Sequence, residues 1–292
     1  MVFPAGQQVI DTMLGIPISA DNTEWFEAFK PLLMDEESRR QFTMPAQYMF
    51  KDIPTVGPVE DKVAWTLAHM DRHNITRAMI GFVETLPEIM AAYRDHRDRF
   101  FFDLPVNPNE GMAAVRQIRR AKREFGIDAV SVFPAGVNPQ LPINDKRFYP
   151  VYAACAEEGL PIFVNAGVCG PRMPSLCQKV ELIEEVVWFF PELKFVMRHG
   201  AEPDEALAVK LMLKYPNLYY STSAFAPKYY PKAIVDFMNS RGASKILYAG
   251  YFPMGLSLDR IFAELRELPL KDEVWPKFLY ENAWALLGAT KS

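Results

Sequence analysis

Pro191-Glu-Leu-Lys-Phe-Val-Met-Arg-His-Gly200 begins with a helix stop and ends on a polar pair. A proline pushes the residue before it away from helical geometry, so the amphipathic stretch Val180–Phe189 ends there. Phe195-Val-Met then reads as a short strand buried on both faces, as in a parallel sheet covered by helices. Arg198 and His199 stand at its carboxyl end. The same cadence recurs in Val9-Ile-Asp-Thr-Met13, Thr76-Arg-Ala-Met-Ile-Gly-Phe82, Phe100-Phe-Phe-Asp-Leu-Pro-Val106, Ala129-Val-Ser-Val-Phe133, Pro161-Ile-Phe-Val-Asn165, Leu218-Tyr-Tyr-Ser221 and Lys245-Ile-Leu-Tyr-Ala249. Helical stretches such as Asp145–Glu158 and Asp204–Lys214 separate them. Eight such units in 292 residues predict an α/β fold, a closed (β/α)8 TIM barrel forming a single domain over residues 1–292. Such barrels keep their chemistry at the carboxyl ends of the strands.

Composition narrows the class. Half the residues are hydrophobic, 23% are charged and the net charge is −4, a globular balance with no basic block for nucleic acid or a membrane surface. The longest apolar runs have the length of buried strands, far below a membrane span. Met1 to Gln8 has neither a charged start nor an apolar signal core, so a cytoplasmic protein is expected. Three cysteines, Cys155, Cys169 and Cys177, cannot all pair and match no zinc spacing, which fits reduced thiols. There is no dinucleotide glycine fingerprint and no phosphate-cradling loop of the Walker type.

About sixty residues separate the first strand from the second. Within them, 21–57 holds Trp25, Phe42, Tyr48 and Phe50. An insertion after a barrel strand lies at the catalytic face, so it is expected to act as a lid or as an apolar wall of the pocket. The plainer alternative is an extra helix pair without ligand contact.

Leu141-Pro-Ile-Asn-Asp145, Tyr149-Pro-Val-Tyr152, Glu158-Gly-Leu-Pro-Ile162, Phe195 to Gly200, Pro216-Asn-Leu-Tyr219, Lys245-Ile-Leu-Tyr248, Pro253-Met254 and Glu281-Asn-Ala283 occur in that order. In order and spacing they resemble the amidohydrolase-related family that includes aminocarboxymuconate-semialdehyde decarboxylase, whose members are metal-dependent barrel hydrolases and decarboxylases. The resemblance implies metal ligands at four places, and none carries one. The family's Asp-x-His-x-His is here Asp11-Thr-Met-Leu-Gly15, with Met13 and Gly15 at the histidine positions. Asn165 stands where a strand-five histidine is implied, and Tyr251 replaces the strand-eight aspartate. A catalytic zinc needs three imidazole, thiolate or carboxylate donors. Methionine, glycine, an amide and a phenol supply weak ligation or none, so neither a metal nor another cofactor is expected.

His199 matches the family's strand-six histidine, and imidazole suits proton transfer near neutral pH. Its alternative role is a scaffold hydrogen bond. Asn165 and Tyr251 are catalytic candidates as hydrogen-bond donors to a developing oxyanion, or else fill vacated volume. Arg172 and Arg198 are candidate carboxylate clamps, against a solvated loop cation and a salt bridge respectively. Ser223, Asp11 and Met13 complete the expected substrate-binding set. Ser223 is read as a hydrogen-bonding or loop residue and Asp11 as orienting a polar group or bracing its strand. Cys169 is read as a structural thiol, and His69, His73 and His96 as surface residues. The expected function is a metal-independent hydrolase or carbon–carbon lyase, including decarboxylation. Its substrate would be a small, partly apolar carbonyl or carboxylate compound, with His199 as general acid/base. The competing reading is an inactive barrel that binds a small ligand or serves an assembly. Ligands relocated around a metal form a third reading, disfavoured because no other histidine lies near a strand end. No macromolecular partner is expected beyond a homodimer, which stays open.

Overall fold

The computed structural model describes residues 3–17, 30–40 and 46–288. Eight strands appear in chain order: β1 Val9–Asp11, β2 Ile75–Gly81, β3 Phe100–Pro105, β4 Ala129–Val132, β5 Ile162–Asn165, β6 Phe195–Arg198, β7 Leu218–Ser221 and β8 Ile246–Leu247. They form one sheet in the order β1 to β8, and each neighbouring pair is parallel. The ends meet: the Thr12 N–H donates to the Tyr248 carbonyl at 3.0 Å, and Leu14 bridges Phe252 in parallel. The predicted barrel is therefore present. Most strands are a residue or two shorter than the apolar runs, because residues at the mouth leave the ladder.

Local chemistry sets the helix limits. Asp61 caps Lys62–Arg72 by accepting the Ala64 N–H at 2.9 Å. Gly126, in left-handed geometry, closes Met112–Phe125. The helix expected from Asp145 starts instead at Tyr149, since Asp145 accepts the Arg147 N–H and holds its guanidinium, making a turn. The stretch from Val180 begins as a 3-10 turn and becomes α-helical only over Ile183–Phe189. No helix among the described residues is long and apolar enough to cross a membrane.

Strand alternation sorts the core into two layers. Ile10, Met79, Phe101, Ala129, Phe163, Val196 and Leu247 pack together inside the barrel, joined from below by Ala283 and Leu286 of the terminal helix Asn282–Leu287. Val9, Ile80, Phe102, Val130, Ile162, Phe195 and Met197 pack between sheet and helices. Fully buried phenylalanines such as Phe101 and Phe163 each contribute roughly 1.5–3 kcal/mol. The C-terminal helix thus plugs one end of the barrel and leaves the carboxyl ends of the strands for the site.

Candidate active site at the barrel mouth

Two residues above the apolar inner layer, the alternation brings a different set of side chains inward. Thr12, Asp103, Ser131, Asn165, Arg198 and Ser221 are all buried there, in the same register as Gly81 and Ala249. Small residues leave room: a Cβ added at Gly81 would meet no atom within 4 Å. Arg198 settles which way it faces by its contacts. Its guanidinium carbon lies 5.2 Å from the ring centroid of Phe163, and Nη2 reaches Asp103 Oδ2 across the barrel at 3.5 Å. Its Nε is buried without a partner. Asn165 is its Cα partner on β5, and among the described residues the Asn165 amide has no hydrogen-bond partner.

By alternation His199 would face the helices. Its φ of +66°, followed by +94° at Gly200 and +57° at Ala201, breaks the pleat at the strand's end. The ring turns to the mouth, where Nδ1 sits 3.0 Å from Ser223 Oγ, and the His199 N–H also donates to that oxygen at 3.2 Å. The imidazole is half-buried. Removal from water, and then the Arg198 charge, push its pKa down to about 3, so it is neutral at ordinary pH. Ser223 is fully buried and reaches His199, which it orients.

Tyr251 also has a left-handed φ, +64°, and its N–H donates to the Met13 carbonyl at 2.9 Å. Its ring meets His199 edge-on at 5.5 Å and stacks on Phe50 at 5.7 Å. Burial pushes the phenol up to about 12, so it stays a donor. Phe50 belongs to the insertion 21–57, and other described parts of that segment lie against the loop after β5. Tyr48 donates to the Gly170 carbonyl at 2.6 Å, and Asp35 and Glu37 hold Arg172 at 3.1 and 2.7 Å. Trp25 and Phe42 lie outside the described residues.

The structure therefore brings His199, Tyr251, Asn165, Arg198, Ser223 and Met13 together. Arg172 is placed elsewhere, on the exposed loop among those two carboxylates and the Tyr48 ring. Asp103 escaped the sequence reading. Its signal was an acid at the inward register of an otherwise apolar strand. Among the histidines read as surface residues, His69 is half-buried, set between Trp65 and Phe252 at 4.0 and 5.3 Å, and His73 pairs with Asp259 at 2.9 Å. Cys169 lies 3.0 Å from Ser175 Oγ, and burial pushes its thiol up. A cleft of about 590 Å³ opens at the opposite end of the barrel beside Lys194, Tyr219 and Lys245. Lys245 is held there by the carbonyls of Tyr215, Pro216 and Leu218, and that face of a barrel serves stability.

Asp11 sits behind the mouth. Its Oδ1 accepts the N–H groups of Met13 and Gly250, both at 2.9 Å, while Oδ2 is buried without a partner. A Cβ at Gly250 would come within 2.6 Å of that oxygen, so only glycine lets the strands close over it. Burial raises the Asp11 pKa from 3.8 to about 7. The folded chain then keeps a proton that the unfolded chain loses, so stability from this group falls as pH rises from about 4 to about 7 and stays low above that. Asp11→Asn keeps an oxygen for both N–H groups and removes the charge. It is expected to be more stable than the parent at pH 8, by about 1–4 kcal/mol at one pKa unit per 1.4 kcal/mol, and equal to it near pH 4. Urea titrations at both pH values check this, and a variant no more stable at pH 8 would refute it.

The donor set does not fit the metal that the resemblance implies. A thioether, a glycine, an amide and a protonated phenol occupy the four positions. Among the described residues no three His, Cys, Asp or Glu side chains gather closely enough to hold an ion.

The chain belongs to the amidohydrolase family, whose profile matches residues 32–289. No curated protein sequence matches it. A TIM-barrel protein of Bordetella bronchiseptica, described as uncharacterized, superposes with a TM-score of 0.74 at 22% identity, covering 98% of this chain and 100% of its own. The 5-carboxyvanillate decarboxylase of Sphingomonas paucimobilis gives 0.64 at 14% identity over 97% of this chain and 99% of its own. A probable 2-pyrone-4,6-dicarboxylic acid hydrolase of Acinetobacter baumannii, with citric acid bound, gives 0.65 at 14% over 96% and 99%. At these identities the likeness establishes the shared fold.

Proposed function

We propose that this amidohydrolase is a metal-independent hydrolase or carbon–carbon lyase of decarboxylase type. It acts on a small, partly apolar carbonyl or carboxylate compound, with His199 as general acid/base. The observation that carries this is a neutral imidazole turned into the mouth by a left-handed backbone, oriented by Ser223 and facing the Tyr251 phenol. In the tautomer whose Nδ1–H donates to Ser223 Oγ, Nε2 carries the lone pair and exchanges the proton. A neutral ring takes a proton first: in hydrolysis it deprotonates water, the hydroxide adds to the carbonyl, and the imidazolium returns the proton to the leaving group. Tyr251 and Asn165 donate hydrogen bonds to the oxyanion that forms between those steps. Phe50, from the described part of the insertion, and Met13 supply an apolar wall. Carboxylate chemistry in proteins of the same fold, named above as a decarboxylase and a probable dicarboxylic acid hydrolase, supports the substrate class.

Chelator-treated protein should turn over a member of a screen of aromatic and alicyclic carboxylates and their esters, with far less than one metal ion per chain. Activity that tracks added zinc or manganese removes the metal-free reading. Tyr251→Phe should then cost about 10²–10³-fold in kcat, as loss of one oxyanion donor does, with the melting temperature kept. If Tyr251 only fills space, activity survives. The absence of donors at all four metal positions favours one other reading, a barrel that binds without turning over. A ligand retained through purification, with no turnover across the screen, would select it.

A further inference from the structure

Arg97 and Arg198 each pair with a buried aspartate, and they do so differently. Arg97 makes three short contacts: Nη1 lies 2.8 Å from Asp128 Oδ2 and donates to the Phe100 carbonyl at 2.8 Å, and Nη2 donates to the Gly126 carbonyl at 2.6 Å. Asp128 also accepts the Phe102 N–H at 2.9 Å. This is the geometry of a pair that holds two segments together. Arg198, deeper in the protein at 6% exposure, makes one side-chain hydrogen bond among the described residues, at 3.5 Å, the outer limit. Its Nε is buried and unpartnered, as is the Ser221 hydroxyl on the neighbouring strand. Leaving a buried cation's donors unmatched is costly. A guanidinium seated on an aromatic ring with its Nε edge free presents the planar fork that matches a carboxylate. Space lies in the same layer at Gly81, the register partner of Asp103, where an added Cβ would touch nothing within 4 Å. His199 and Tyr251, its other titratable neighbours, are held neutral, which leaves Asp103 as the one competing charge identified at this layer.

We propose that Arg198, aimed across the barrel by Asp103, is a fixed-charge oxyanion site that takes over the electrostatic part once played by a metal ion. It receives one carboxylate, with Ser221 and Asn165 beside it. This deepens the proposed function by naming the recognised group, and rests on that function only for its use in catalysis. Asp103 is a positioning residue: its long contact sets the plane of the guanidinium and leaves the Nε edge open.

Titration calorimetry and thermal shift with formate, acetate and benzoate, with benzamide as the uncharged counterpart of benzoate, test the site without needing a substrate. The parent protein should bind benzoate and ignore benzamide. Arg198→Met should weaken benzoate binding about 10–100-fold, the worth of one or two charge-assisted hydrogen bonds. Should that variant fail to fold, Arg198→Lys keeps the charge, loses the fork, and should still weaken binding about tenfold. Asp103→Asn keeps an acceptor and removes the competing charge. It should bind benzoate more tightly and gain more in melting temperature from it than the parent does. No anion binding by the parent, equal binding of benzoate and benzamide, or undiminished binding in the Arg198 variants would overturn the site. Unchanged or weaker binding in Asp103→Asn would overturn the part given to Asp103. Turnover that survives while anion binding is lost removes this inference and leaves the acid/base role of His199 standing. A His199→Asn variant that keeps both anion binding and turnover does the reverse.

Discussion

Replacing His199 with asparagine is expected to lower turnover by about 10²–10⁴-fold while the protein stays folded, the usual effect of removing a general acid/base. Asparagine is the informative choice because it tolerates the left-handed φ of +66° and can keep a hydrogen bond to Ser223. Alanine or valine would mix lost chemistry with backbone strain. The pH profile adds an independent check. The free-enzyme limb of kcat/KM reports the base that must be deprotonated, and burial holds this one at about 3. Activity should therefore stay level on the acid side down to about pH 4, where an ordinary histidine would have cost it most of its rate. A His199→Asn protein within a few-fold of the parent, or an acid limb near pH 6.5, would dismiss His199 as the base.

Gly167→Ala is expected to be the most damaging small substitution near the site. Gly167 follows β5 with φ +85°, and a Cβ there would fall 2.5 Å from the Glu202 carbonyl oxygen and 2.6 Å from the Ala201 carbonyl carbon. Those atoms are backbone and cannot swing away. The left-handed conformation alone costs an L residue about 1–2 kcal/mol, and overpacking typically adds about 1–3 kcal/mol. The contact matters because it sets one catalytic loop against the next. The Gly167 N–H donates to the Gln178 carbonyl at 2.7 Å, and the Val168 N–H donates to Glu202 at 2.8 Å. Gln178 meanwhile ties the loop after β4 to the same place. Separating these loops moves Asn165 away from His199, so activity should fall along with stability. Gly81→Ala, with open space around its added Cβ, is the control for stability. If Gly167→Ala unfolds in urea within about 0.5 kcal/mol of the parent, the size of an ordinary surface change, the close approach is not a constraint.

The strand ends carried most of the site in a readable form. Asn165, His199, Ser223 and Tyr251 follow apolar runs whose barrel register can be counted along the chain, and Met13 follows the first. Phe50 was readable as part of an aromatic insertion, though not as the ring that stacks on Tyr251. Asp103 was missed because a carboxylate inside Phe100-Phe-Phe-Asp-Leu104 acquires meaning only from what stands opposite. Arg172 looked equivalent to Arg198 along the chain. Two surface carboxylates from the insertion engage Arg172, while Arg198 remains undersaturated in the interior.

By itself the sequence determined the barrel and the residue types at the four places where the resemblance implies metal donors. Both depend on local facts: apolar runs spaced by helices, and residue types at the ends of strands, which chemistry limits whatever their neighbours. Only the tertiary structure decided how the remaining polar groups are charged and aimed. Arg198 and Asp103 are 95 residues apart, on strands that face each other only once the sheet has closed. The His199 proton depends on burial and on that same guanidinium. Its direction depends on a left-handed turn that strand alternation argues against. Desolvation and Coulomb interactions act through space, so no pattern along the chain could state them.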